Sequence, residues 1–234
     1  MEIQPTRIIN KDEDRFDLGR YCEILLNAIE MGFAFQTFSD YLANPGKKVI
    51  LLRHDIDVSL EYGMQMARIE HHLGIHSTFF VRFHSDFYNL LEEENMNRLA
   101  KLAEMGFEVG FHQEIYKFTA DRKQLVEILK IEKALVEAIM GRLAHGVATH
   151  LPRKNVIQMT SEFLSETGFN YRPGSEIFNQ DALFISDSNK RWKTCSFDEA
   201  LEKSDKILAN IHPVWWVGKF TDPTTLIALL GKGK

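Results

Sequence analysis

The chain has 234 residues, 44% of them hydrophobic, which is enough for one domain with a sizeable core. A formal net charge of −5 and the lack of any long basic run argue against a nucleic-acid partner, and no apolar run is long enough to cross a bilayer. Cys22 and Cys195 lie far apart, match no metal or redox spacing and read as buried thiols. With so few cysteines and no charged-then-apolar leader, the expectation is a cytoplasmic protein.

In chain order, residues 1–16 are polar and mixed in charge and read as part of a lead-in that extends to residue 34. Leu18, Tyr21, Cys22, Leu25, Leu26 and Ile29 recur at helical spacing, and Gly32 can stop that helix. The turn signal Asn44-Pro45-Gly46 opens onto Val49-Ile50-Leu51-Leu52, a buried strand that runs into Arg53-His54-Asp55-Ile56-Asp57. Ser59 is positioned to cap a helix ending near Gly74. A second strand is predicted at residues 77–83, a helix from Glu92 to Met105, and a third strand at residues 107–112. Asp121 to Met140 is the longest predicted helix, closed by Gly141. Shorter elements follow: a strand at 146–149, a helix from Thr160 to Thr167, a weak strand near 182–185 and a firmer one at 206–211. Strands alternating with helices predict a single α/β domain with a parallel sheet, closed or nearly closed into a barrel. The segment Leu226-Ile227-Ala228-Leu229-Leu230 reads as a short helix closing the barrel, and the last four residues as a frayed tail.

The first strand carries the most chemistry. A charged cluster at its end sits at the carboxyl edge of the sheet, where α/β proteins build their sites. Asp55 and Asp57 are two apart and share a face of the strand. Carboxylates that close repel unless a cation or a shared proton relieves them, so a metal site or an acid/base pair is expected. His112 ends the third strand and can meet Asp57, a carboxylate–imidazole pairing common around first-row metals. His145 and His150 flank the fourth strand, as ligand, clamp or structural groups. His212 follows the last firm strand with Trp215 and Trp216 beside it, a general acid next to a sugar-stacking wall or a piece of core. Arg53 can orient Asp55 or Asp57 through a bidentate ion pair. His71, His72, His76 and His84 match no partner in the sequence.

Taken in order, LLRHDID at 51–57, STFFVRF at 77–83, MGFEVGFHQE at 105–114 and ILANIHPVWW at 207–216 resemble the polysaccharide deacetylase family, also called the NodB-homology or carbohydrate esterase 4 family. The likeness covers roughly residues 35–217 and is closest to the branch whose first motif reads His-Asp-x-Asp. It implies an irregular (β/α) barrel of about seven parallel strands, with Asp55 as catalytic base and His212 protonating the leaving amine. It also implies Asp57 and His112 as ligands of a divalent metal, zinc being the leading choice. The family's second metal histidine falls at Tyr116, a poor zinc ligand because a phenol has a pKa of about 10. A third ligand must then come from Glu114, His145 or His150, and His145 is preferred. Arg53, Glu114, Trp215 and Trp216 are assigned to the substrate. The family's arginine-proline motif has no clean match, although residues 141–153 occupy its place.

The resemblance implies hydrolysis of a non-peptide carbon–nitrogen bond, with deacetylation of an N-acetylated sugar or glycan precursor. Hydrolysis of an amide outside sugar chemistry is a variant of that reading. The alternative is a catalytically degenerate barrel that serves as a glycan-binding or assembly module, with Tyr116 marking a lost metal site.

Overall fold

A computed structural model describes residues 15–114, 121–150 and 159–217. Helix α1 (Leu18–Glu30) starts at Asp17, whose carboxylate accepts the Arg20 amide at 2.8 Å. Strand β1 (Ala34–Gln36) and helix α2 (Phe38–Ala43), opened by a reciprocal Thr37–Asp40 capping box, follow. Then come β2 (Val49–Ile56), α3 (Leu60–His72), β3 (Thr78–Val81), α4 (Glu93–Glu104) and β4 (Glu108–Gln113). The second half contains α5 (Arg122–Met140), β5 (Val147–Thr149), α6 (Ser161–Thr167), α7 (Glu176–Asn179), β6 (Leu183–Ser186), α8 (Phe197–Lys203), β7 (Lys206–Ile211) and α9 (Pro213–Trp216). The longest helix begins and ends as its sequence predicts. Asp121 accepts the Lys123 and Gln124 amides, and Gly141 takes the left-handed conformation at φ +67°. β1, α2, α7, α8 and α9, each of three to seven residues, were not anticipated.

The strands form one parallel sheet in the order β5-β4-β3-β2-β7-β6, curled into a half-barrel with helices around it. β1 and β3 follow one another along the same edge of β2, the first pairing with Val49–Leu51 and the second with Arg53–Ile56. Seven parallel strands among the described residues agree with the expected irregular barrel. The first 14 residues of the lead-in, the predicted helix at 226–230 and the tail lie outside the described residues.

Period-two alternation sorts the side chains of β2 between two environments. Ile50, Leu52 and Ile56 face outward into the layers packed by the helices, whereas Val49 and Leu51 face the barrel interior with Phe80, Ala148, Tyr171 and Leu208. Phe38 and Phe178 pack into the same cluster, their rings 4.8 Å apart and edge to face. Gly110 allows β4 to pass beside Phe80, since a Cβ there would lie 2.6 Å from the phenyl ring. Gly146 allows Tyr171 a similar approach, at 2.4 Å. The glycine after His145 therefore serves core packing.

His54 points the other way, into a fully buried polar cluster. Its Nε2 lies 2.7 Å from Glu70 of α3, which also accepts the Tyr21 hydroxyl of α1 at 2.7 Å and the Ser77 hydroxyl. This cluster ties two helices to the back of β2, so the strand that carries the charged residues is held from behind. Phe38→Ala is expected to lower the unfolding free energy by about 3–5 kcal/mol, the usual cost of emptying a buried aromatic site. Urea denaturation would measure the loss.

Candidate active site

The residues singled out in the sequence meet at the carboxyl end of the sheet. Continuing inward from Val49 and Leu51, β2 presents Arg53 and Asp55, with Asp57 just beyond the strand. The same alternation brings His112 inward from β4, with Glu114 following it, and His150 from the end of β5. His212 follows β7, and Asp187 follows β6. Arg53, foreseen as a partner for one of the two aspartates, clamps Asp55 with Nε to Oδ1 at 2.7 Å and Nη2 to Oδ2 at 2.9 Å. Its planar face also lies 5.0 Å from the Phe80 ring. Arg53, assigned to the substrate, is thus engaged with Asp55.

Burial alone would raise the Asp55 pKa, but the charge of Arg53, supported by His212, outweighs it and holds the carboxyl well below the usual carboxylate range. Asp55 is therefore ionised at neutral pH. Its Oδ2 faces His112 Nε2 at 3.6 Å and His212 Nε2 at 3.8 Å.

His212 is set by Asp187, an acid absent from the sequence-based assignment. The Asp187 carboxylate is fully buried and accepts the His212 Nδ1–H at 2.6 Å, the His212 backbone N–H at 3.0 Å and the Trp216 indole N–H at 2.7 Å. Burial would push the imidazole pKa down, but Asp187, by charge and hydrogen bond, and then Asp55 and Asp57, carry it up to about 9. A protonated imidazole with Nε2 directed at Asp55 is suited to give a proton at neutral pH. Only an acid two residues after the weak strand 182–185 hinted at Asp187.

The third group is Asp57, His112 and His150, whose nearest donor atoms all lie within 4.8 Å of one another. Asp57 Oδ1 is 3.5 Å from His112 Nε2 and 3.6 Å from His150 Nε2. Zinc bonds of about 2.0–2.2 Å in a tetrahedron separate adjacent donor atoms by about 3.3–3.5 Å, close to these distances. Asp57 Oδ1 is buried and has no hydrogen-bond partner among the described residues, as expected of an atom reserved for a cation. Burial also pushes His112 down to about 4, despite the attraction of Asp55 and Asp57, so its imidazole is neutral as a ligand must be. One carboxylate and two imidazoles suit zinc and other first-row divalent ions.

Several assignments need correction. His145, the preferred third ligand, precedes β5 and His150 follows it, so five residue steps, about 16 Å of extended chain, separate them. It lies at the amino end of the sheet, where Nδ1 meets Asn170 Oδ1 at 3.1 Å and the ring borders a groove with Ser39, His76 and Glu108. His150, the candidate passed over, takes the position beside Asp57. Glu114, assigned to the substrate, is buried and bonded through Oε1 to His150 and Arg82. Trp215 and Trp216 are each only 4% exposed; Trp216 packs with Phe16 at 5.0 Å and Tyr21 at 5.4 Å. Both belong to the core, so neither forms a stacking wall. Tyr116 lies outside the described residues.

No family model matches the sequence, and no curated protein matches it. Solved structures do match. The Streptococcus pyogenes deacetylase PplD in complex with acetate superposes with a TM-score of 0.53 at 14% identity, covering 98% of this chain and 93% of that one. The catalytic domain of peptidoglycan N-acetylglucosamine deacetylase from Eubacterium rectale gives 0.52 at 13% identity, over 80% and 84%. A wild-type CE4 family pseudoenzyme from Bacillus anthracis gives 0.50 at 13% identity, over 80% of this chain and 62% of that longer one. At these identities the likeness establishes the fold, that of CE4 deacetylases and CE4 pseudoenzymes alike.

Asp187→Asn removes the charge that raises His212, so the imidazole should titrate lower, back towards its ordinary value near 6.5. NMR observation of the His212 ring across pH would follow the shift.

Proposed function

We propose that this chain is a metal-dependent hydrolase of a non-peptide carbon–nitrogen bond that removes acetyl groups from an N-acetylated sugar or glycan precursor. The observation that carries the reading is the convergence, at the carboxyl end of the sheet, of an unpaired carboxylate oxygen between two imidazoles, an arginine-clamped aspartate and an aspartate-charged histidine. Asp57, His112 and His150 would hold the metal, with zinc favoured by the donor set. When bound, the cation supplies Lewis-acid charge for the oxyanion that develops as the acetyl carbonyl is attacked.

The chain's own groups handle the protons. Asp55, ionised and fixed by Arg53, takes a proton from the attacking water as its oxygen bonds to the carbonyl carbon. His212, charged through Asp187, donates its Nε2 proton to the amine nitrogen as the carbon–nitrogen bond breaks. Acetate and a free amino sugar result, and a final proton exchange with solvent restores both groups. A fold neighbour solved with acetate supports this reaction class. The unpaired thiols Cys22 and Cys195 support a reducing, cytoplasmic setting and hence a soluble precursor as substrate. The likeness to a CE4 pseudoenzyme supports the competing reading, a barrel that binds glycan without turnover.

Two experiments separate these readings. Elemental analysis should find near-stoichiometric metal in the wild type and in His145→Ala, and loss of it in Asp57→Ala and His150→Ala; retention in His150→Ala would displace the site. Asp55→Asn should reduce deacetylation of N-acetylglucosamine oligomers by roughly 10²–10⁴-fold while keeping the metal. Wild-type activity should also fall as pH rises through about 9, where His212 loses its proton.

A further inference from the structure

We propose that Glu114, itself clamped by Arg82, is the positioning residue that makes His150 a metal ligand. This inference rests on the metal-dependent reading above and adds how a strand-end histidine serves where the sequence places Tyr116 at the family's second histidine position.

The ladder between β4 and β5 pairs His112 with Ala148 and Gln113 with Thr149, and the His150 amide continues it by donating to the Gln113 carbonyl at 2.9 Å. One further step in this register sets Glu114 beside His150, both on the inward face. There Glu114 Oε1 hydrogen-bonds the Nδ1 of the His150 ring. An ionised carboxylate can only accept, so Nδ1 carries the proton and Nε2 is left with its lone pair towards Asp57. The carboxylate thus selects both the tautomer and the direction of the ring.

Arg82 extends this control to a second ligand. Its guanidinium is 1% exposed; Nη2 donates to Glu114 Oε1 at 2.5 Å and Nη1 to the Asp57 carbonyl at 3.2 Å. A single buried cation therefore fixes the backbone of one ligand and the orienting partner of another, across β2, β3 and β4. The end of β3 is secured in turn by Tyr88, whose hydroxyl accepts the Arg82 amide at 2.8 Å and donates to the Ile56 carbonyl at 2.9 Å. Outer partners of this kind typically alter metal affinity by about 10- to 100-fold.

The test reads the ring and the metal separately. In metal-free wild type, ¹⁵N NMR of the His150 imidazole should show the Nδ1–H tautomer; an Nε2–H ring overturns the proposal without any variant. Cobalt(II) and zinc(II) affinities, measured by chelator competition, should fall about 10- to 100-fold in Glu114→Leu. That variant should also lose the single tautomer, whereas Glu114→Gln, which keeps an accepting oxygen, should restore the tautomer and part of the affinity. If the wild type binds neither ion, the metal reading itself fails and the proposal falls with it. If the wild type binds metal and Glu114→Leu binds it equally well, the metal reading survives and only the positioning role is overturned.

Discussion

Four carboxylates, Asp55, Asp57, Glu114 and Asp187, are buried at the carboxyl end of the sheet, and most of the local architecture serves to compensate them. An unpaired carboxylate removed from water is so unfavourable that it would take up a proton instead. Each acid accordingly has its own solution. Arg53 grips Asp55 through two parallel hydrogen bonds, and Asp187 collects the ring, backbone and indole N–H groups of His212 and Trp216. Glu114 lies between Arg82 and His150. Asp57 Oδ1 has no hydrogen-bond partner among the described residues, and two imidazole nitrogens converge on it.

This division of labour explains how two histidines so near each other differ in charge. His112 faces the aspartates across a gap and makes no hydrogen bond to either, so burial dominates and the ring stays neutral. His212 shares a short hydrogen bond with a buried carboxylate, and that attraction exceeds the burial penalty. One sheet edge thus holds a neutral imidazole suited to a cation and a charged one suited to giving a proton. The difference comes from one aspartate at the end of β6.

Support for these residues extends to the back of the sheet. His54, between Arg53 and Asp55 in sequence, faces the opposite layer, where Glu70 and Tyr21 bind it. The five-residue cluster that first draws attention is therefore divided by the strand into an inward face and an anchoring face. Trp216 joins the two regions, since its ring packs on Tyr21 while its N–H holds Asp187.

By itself the sequence determined the alternation of strands and helices, the buried first strand and the meeting of Asp55, Asp57, His112 and His212. These follow from period-two and period-3.6 patterns and from strand ends that recur at one edge, all of them local properties. It also identified Arg53 as a partner for a neighbouring aspartate, because residues two apart in a strand share a face. Only the tertiary structure decided between His145 and His150, since both flank the same short strand and the choice depends on its direction and register against β4. Likewise, the roles of Arg82, Glu114 and Asp187, and the burial of Trp215 and Trp216, depend on contacts between strands and helices far apart in the chain. The order of strands in the sheet, which no local pattern encodes, brings those groups together.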